Sequence, residues 1–375
     1  MKLEFKYTNE LVNSLLKIEK YKTALDYLLL PTREKQKLMY EAKLKRTHFS
    51  TSIEGNVLSY NQVERVIANK KDNRITAEQE VQNYWDALTY LEEEKKKNTK
   101  IDMEFILKLH DIIQKNGKLS RIPFRGQTPP GVLFAVYDSA SKQAEYIPPE
   151  WIDIEPLINE LINWYDNNQN LLAPILAAIM HYALVTIHPF VDGNGRTSRA
   201  LSTYVLMQHD YDFKGFNSFE EYYMSDLSGY YKSIQMGLPA LFYSGRENPP
   251  HLEIWIEYFC KIMALNAEKI YEQALEASQK ESNELLKCLN KKDLILLRYC
   301  LENGLKIVKN NEIAELFGVT PRAISKWMSE WVEKGILIPN SGTTRITSYS
   351  LSNKYEKLKA SDIGFTKWWL MVIIK

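Results

Sequence analysis

Apolar positions recur at helical spacing along most of the chain. "LVNSLLKIEKYKTALDYLL" repeats Leu, Ile and Val three and four apart, which predicts an amphipathic helix. "AEQEVQNYWDALTYLEEEKKK" does the same and ends in a charge run that reads as a solvated face. Asp102–Gln114 and Trp151–Gln169 predict two more helices, and helices resume over 219–231 and 251–289. One stretch breaks the period: "RIPFRGQTPPGVLFAVYDSASKQAEYIPPEW" is rich in Pro and Gly. In it "VLFAVY" and "AEYI" flank the polar "DSASKQ", which predicts a hairpin bounded by Pro129–Gly131 and Pro148–Pro149.

The run "LLAPILAAIMHYALVTI", Leu171–Ile187, is apolar on every face. At about 17 residues it sits at the short edge of membrane-span length. Pro174 and His181 interrupt it and polar residues follow at once, so it reads as a buried core helix. From Lys291 the texture changes again. "NNEIAELFGVTPRAISKWMSEWVEKGILIPNSGTTRITSYSLS" predicts a helix, a turn at Gly318, a second helix with Pro321 near its start, and two strands around "NSGTTR". Ile324, Trp327, Met328 and Trp331 form its apolar stripe, and Arg322, Ser325, Lys326 and Ser329 fall off it.

Composition narrows the class. A chain of 375 residues, 45% hydrophobic and 25% charged, is an ordinary globular composition with room for two or three domains. The formal net charge of +1 excludes a global field that would draw the whole chain to nucleic acid or membrane. Cys260, Cys288 and Cys300 are odd in number and lack a Cys-x-x-Cys pair, which fits a reducing compartment and no disulfide framework or zinc site. "MKLEFKYTNE" has no apolar region of a secretory signal, so a cytoplasmic location without a membrane is expected.

The buried run stops at "HPFVDGNGRTSR", His188–Arg199, and helix-like sequence resumes at once. The start of that second helix presents unpaired N–H groups and a positive dipole end. Gly193 and Gly195 let an anion approach the backbone, so the stretch is a candidate anion nest. Arg196 and Arg199, three apart, suit phosphate oxygens, and two of them beside a nest suggest a nucleotide. Asp192 makes sense there as a ligand of Mg²⁺, and a neutral His188 as the base that takes a proton from an attacking hydroxyl. Together these are parts for phosphoryl or nucleotidyl transfer. The Gly-Lys-Ser/Thr ending of a Walker loop is missing.

The same stretch resembles the signature of Fic-domain proteins, His-x-Phe-x-Asp/Glu-Gly-Asn-Gly-Arg-x-x-Arg, filled by His188, Phe190, Asp192, Gly193, Asn194, Gly195, Arg196 and Arg199. The resemblance implies transfer of AMP from ATP to a protein Ser, Thr or Tyr hydroxyl. It implies His188 as base, Asp192 on Mg²⁺, Asn194 and the glycine backbone on the phosphates, Arg196 and Arg199 on the β- and γ-phosphates, and Phe190 as a core anchor. The hairpin resembles the family's flap, whose open edge would pair with an extended target segment. Upstream, Ser50-x-x-x-Glu54-Gly55 in "RTHFSTSIEGN" matches the family's inhibitory pattern, at the N-terminal position of its second structural class. Glu54 would then neutralise Arg199 and misplace the phosphates. Read alone, Ser50 and Glu54 are a solvated i, i+4 helix pair.

The expected fold is mainly α: a Fic-type helical core with a β-hairpin flap, plus a C-terminal winged helix-turn-helix. The expected division is an N-terminal helical region carrying the inhibitory motif (1–100), the core with its flap (101–250), connecting helices (251–290), the winged helix (291–359) and an apolar tail (360–375). The winged-helix segment carries twelve Lys or Arg against seven Asp or Glu, which agrees with DNA contact and equally with protein contact. The partners implied are a protein substrate with an acceptor hydroxyl, the chain itself as a target, DNA, and a second copy in a homodimer. Removal of AMP with Glu54 orienting a water, a DNA-binding regulator with the core as sensor, and transfer of phosphate or phosphocholine stay open beside AMP transfer.

Overall fold

The structure is a computed structural model. It describes residues 1–69, 76–115, 124–132, 134–137, 144–238, 249–305, 307–340, 346, 348–356 and 358–363. All of "DSASKQ", most of "NSGTTR" and the apolar tail beyond Ile363 lie outside the described residues. The chain divides into two compact units. The first comprises Met1–Tyr27 with Thr32–Ala274, and the second Leu28–Pro31 with Leu275–Lys375. Among the described residues no helix is long and apolar enough to cross a membrane.

The first unit is built from α1 (Asn9–Tyr27), α2 (Thr32–Ile53), α3 (Tyr60–Ala68), α4 (Thr76–Lys97) and α5 (Met103–Ile113). Two short antiparallel strands follow, β1 (Val136–Tyr137) and β2 (Ala144–Tyr146), with Val136 opposite Tyr146 and Tyr137 opposite Ala144. Next come α6 (Ile154–Asn167), α7 (Ala173–Ile187), α8 (Asn194–Gln208), α9 (Glu220–Ser225), α10 (Leu227–Gln235) and α11 (Leu252–Lys287), whose residues from Leu275 on belong to the second unit. The helical sequence over 219–231 forms two helices because the backbone of Asp226 leaves helical geometry at φ −133° and ψ 58°. Its carboxylate instead caps α10 by accepting from Gly229 N at 3.0 Å.

Helix α7 explains its own composition. All of its residues except Val185 are buried, so an all-round apolar sequence is what the position demands. It packs along α8, and Trp255 of α11 donates its indole N–H to the Ala178 carbonyl at 2.7 Å. Helix α8 is also buried along most of its length but is far more polar, with Asn194, Arg196, Thr197, Ser198, Arg199, Ser202 and Thr203 inside. Helix α2 packs on α4, α8 and α9 and likewise buries polar side chains, Arg46, Thr47, Ser50 and Thr51. Burying so much polar surface is costly unless each group finds a partner. That concentration marks where the fold serves something other than stability.

The second unit carries α12 (Lys291–Glu302), β3 (Ile307–Lys309), α13 (Asn310–Phe317), α14 (Pro321–Glu333), β4 (Leu337–Pro339) and β5 (Ser348–Leu351). Its sheet is antiparallel in the order β3-β5-β4. Gly318 takes φ 60° to end α13, and Thr320 and Pro321 start α14. Ile324, Met328 and Trp331 are in the core with Leu296, Ile313 and Leu337, and Trp327 packs partly buried against it. This element order is compatible with a winged helix-turn-helix.

Candidate active site

The site begins where α7 ends. Pro189 disfavours right-handed helical geometry at the residue before it, and His188 turns left-handed, with φ 50° and ψ 57°. Its backbone carbonyl accepts from Arg125 Nε at 2.8 Å, while the Arg125 backbone N–H donates to Pro189 O at 2.9 Å. The Arg125 guanidinium also donates to Pro149 O and lies over the Phe134 ring, 4.7 Å from its centroid. Tyr146 of β2 donates its hydroxyl to Thr186 O, tying the hairpin to the last turn of α7. Arg125 and Tyr146 thus connect the strand segment to the backbone beside His188. Neither was a sequence candidate, and no local spacing marks them.

The His188 ring places Nδ1 3.1 Å from Val185 O. A carbonyl only accepts, so Nδ1 carries the hydrogen and Nε2 keeps a free lone pair. Burial pushes the imidazole pKa down to about 4, against a smaller opposing effect of the Val185 carbonyl, and the nearby Arg125 charge pushes it further down. The ring is therefore neutral at physiological pH.

Asn194 closes the loop on itself. Its side-chain oxygen accepts from Phe190 N at 2.9 Å and its amide donates to Phe190 O at 2.8 Å. Phe190 is buried and stacks on His110 of α5, with ring centroids 3.6 Å apart and planes 4° apart. His110 Nε2 donates to Asp192 O at 2.9 Å. One turn on, Gln114 donates to Asp192 Oδ2 at 3.0 Å. Asp192 Oδ2 also meets Arg196 Nη2 at 3.2 Å, and Oδ1 accepts from Gly193 N at 2.7 Å. Burial raises the Asp192 carboxyl, but Arg196, Gln114 and the Gly193 N–H outweigh it and hold it below its ordinary value. Gly193 itself is left-handed at φ 83°, and a Cβ there would meet Gln114 Nε2 at 2.6 Å. His110 and Gln114, four apart on α5, are further residues that the sequence alone did not single out.

Arg196 and Arg199 take different partners. Arg196 is buried and paired with Asp192, and its Nε has no hydrogen-bond partner. Arg199, 2% exposed, reaches back to α2. Its Nε donates to Ser50 Oγ at 2.9 Å, and its Nη2 donates to Ser50 O at 2.9 Å and to Glu54 Oε1 at 2.7 Å. Burial has the largest single effect on the guanidinium pKa and lowers it, but Glu54, with Tyr230 and Tyr84, together outweighs burial and raises it. The same Glu54 oxygen lies over the first turn of α8, where a Cβ on Gly195 would meet it at 2.2 Å. After Glu54 the chain turns away through Gly55 at φ 90°. The sequence candidates Ser50, Glu54 and Arg199 are thus brought into direct contact. His188, Asp192, Gly193, Asn194, Gly195 and Arg196 share the adjoining loop and helix start. Among the described residues no group of three His, Cys, Asp or Glu converges as a metal cage.

Residues 100–206 match the family model described as Fic/DOC family. A protein adenylyltransferase Fic of Nematostella vectensis is 29% identical over 173 residues, covering 45% of this chain and 38% of that protein. The one from Drosophila grimshawi is 30% identical over 177 residues, 46% of this chain and 34% of that protein. The chain thus spans less than two fifths of the length of these curated relatives. Among solved structures, a Fic family protein from Desulfovibrio desulfuricans G20 superposes with a TM-score of 0.57 at 18% identity, covering 93% of this chain and 98% of that one. Fic-1 from C. elegans gives 0.53 at 20% identity, over 72% of this chain and 73% of that one. At such identity the likeness is one of fold, and with the family match it identifies residues 100–206 as a Fic domain.

Proposed function

We propose that this chain is a self-inhibited protein adenylyltransferase that moves AMP from ATP to a hydroxyl side chain of a protein. The observation that carries this reading is the Glu54 carboxylate, held 2.7 Å from Arg199 over the start of α8. An anion seated between a buried guanidinium and a helix N-terminus marks where phosphate oxygens would lie. In the reaction the acceptor oxygen attacks the α-phosphorus, the bond to the departing pyrophosphate breaks, and the hydroxyl proton passes to His188 Nε2. The neutral ring and its fixed tautomer suit it to that task. Arg199 would hold the γ-phosphate, and the unpartnered Nε of buried Arg196 is a donor available to the chain of phosphates. Asn194 holds the loop in shape through Phe190, and the backbone of Gly193 and Gly195 would line the phosphates.

Asp192, with its side chain 55% exposed, is the residue that would hold Mg²⁺. A single carboxylate fits a cation that takes most of its ligands from phosphates and water. Mg²⁺ would neutralise charge on the triphosphate. The names of the curated relatives support the adenylyl reading over transfer of phosphate or phosphocholine. The three free cysteines support a reducing, cytoplasmic setting. In the second unit, Arg322, Ser325, Lys326 and Ser329 are all exposed on α14. That face supports contact with DNA phosphates, which retardation of DNA with a steep salt dependence would test. The test of the main reading is intact-mass spectrometry after incubation with ATP and Mg²⁺. Glu54→Gly should gain the mass of AMP on a hydroxyl side chain, and Glu54→Gly with His188→Ala should gain nothing. Equal masses before and after for Glu54→Gly would reject it.

A further inference from the structure

Beneath the Glu54–Arg199 contact lies a second layer of buried charge. Arg46 and Ser50 on α2, and Glu54 in the turn just past its end, are spaced four apart along the same side. Arg199 and Thr203 are four apart on α8. Ser50 and Glu54 engage Arg199, and Arg46, one turn deeper, donates to Thr203 Oγ1 at 2.6 Å. Packed against α2 is Glu220, the first residue of α9, only 1% exposed. Its Oε1 is 3.9 Å from Arg46 Nε, and its Oε2 has no hydrogen-bond partner.

Two buried cations therefore stand among two carboxylates. Glu54 is partly exposed and Glu220 is sealed. We propose that Arg46 is a positioning residue of the brake: it occupies Glu220 and so leaves Arg199 to Glu54. This rests on the adenylyltransferase reading above. A sealed carboxylate without a cation is costly, and Arg199 is the next cation within its field. Burial drives the Glu220 carboxyl up, Arg46 is its largest counterweight, and Arg199 acts in the same sense more weakly. Loss of Arg46 would turn Glu220 toward Arg199 and weaken the hold of Glu54.

The charges predict effects of opposite sign, which a purely structural role would not give. The experiment is the initial rate of AMP incorporation from ATP labelled at the α-phosphate, in the full chain. Arg46→Met should raise the rate about tenfold over wild type, within the range of ordinary coupling between sites. It should add nothing in the Glu54→Gly background, where no brake remains. Glu220→Gln alone should lie at or below the wild-type rate, because Arg199 is no longer shared. Arg46→Met with Glu220→Gln should return to within about twofold of wild type, as the competing charge is gone. An unchanged or lower rate for Arg46→Met beside a raised Glu54→Gly overturns the proposal, as does a double variant as fast as Arg46→Met. Should Arg46→Met not fold, a rate for Glu220→Gln above wild type overturns it. A Glu54→Gly rate no higher than wild type removes the brake itself and this proposal with it.

Discussion

Glu54 Oε1 lies 2.7 Å from Arg199 Nη2, although the two residues are 145 positions apart. Arg199 also donates twice to Ser50, in the last turn of α2 before Glu54. Arg199 and Ser50 are buried and Glu54 is partly exposed, and the three form a charge-assisted knot where the end of α2 meets α8. On the proposed reading, a triphosphate taking Arg199 would compete with a carboxylate that is already hydrogen-bonded to it. The coupling is reciprocal: whatever draws Glu54 away favours the nucleotide, and a well-placed nucleotide favours release of Glu54.

Ser50 should matter less than Glu54, and in the same direction. Ser50→Ala removes one hydrogen bond to Arg199 but leaves the ion pair, a loss of about 1–2 kcal/mol in the restrained state. The rate of AMP incorporation should rise several-fold, clearly short of Glu54→Gly. A Ser50→Ala rate equal to or above that of Glu54→Gly would show that the hydroxyl, and not the charge, is the restraint.

The pH profile should report the buried imidazole. His188 has its pKa lowered by burial to about 4, so the neutral base form persists well below the ordinary histidine range and is lost only as pH falls toward 4. In the Glu54→Gly background, kcat/KM at pH 5.5 should stay within about twofold of its value at pH 7. An acid limb centred near 6.5 in that profile would mean that His188 is exposed to water in the working enzyme.

Gly193 is held at φ 83° with Gln114 against its α-carbon. Gly193→Ala would strain the backbone and push Gln114 off Asp192. The expected cost is about 1–2 kcal/mol, seen as a lowered Tm in thermal unfolding, together with loss of activity in the Glu54→Gly background. An unchanged Tm would show that the loop tolerates another geometry.

Much of this was legible in the chain. The long apolar run of α7, with Pro174 and His181 in it, read as a buried helix, and the Pro and Gly that follow it marked the break. The stripe Ile324, Met328 and Trp331 likewise announced the core of the second unit. The pair Ser50 and Glu54 was readable only in combination with the downstream signature, since i, i+4 polar residues on a helix are commonplace. Arg125, His110, Gln114, Arg46 and Glu220 were not readable. Each acts through partners far along the chain, brought near by helix packing, and a polar residue on a helix carries no local sign of being buried. The break between α9 and α10 was hidden for a different reason: Asp226 ends one helix and caps the next without a glycine or proline at the break.

Calorimetric titration of ATP and Mg²⁺ into the Glu54→Gly, His188→Ala protein tests the cradle most directly, because it measures binding without turnover. Saturable binding is expected, weakened at least tenfold when Arg199→Ala is added and weaker also with Glu54 restored. No measurable binding once the carboxylate is gone, or binding indifferent to Arg199, would contradict a triphosphate lying along the start of α8.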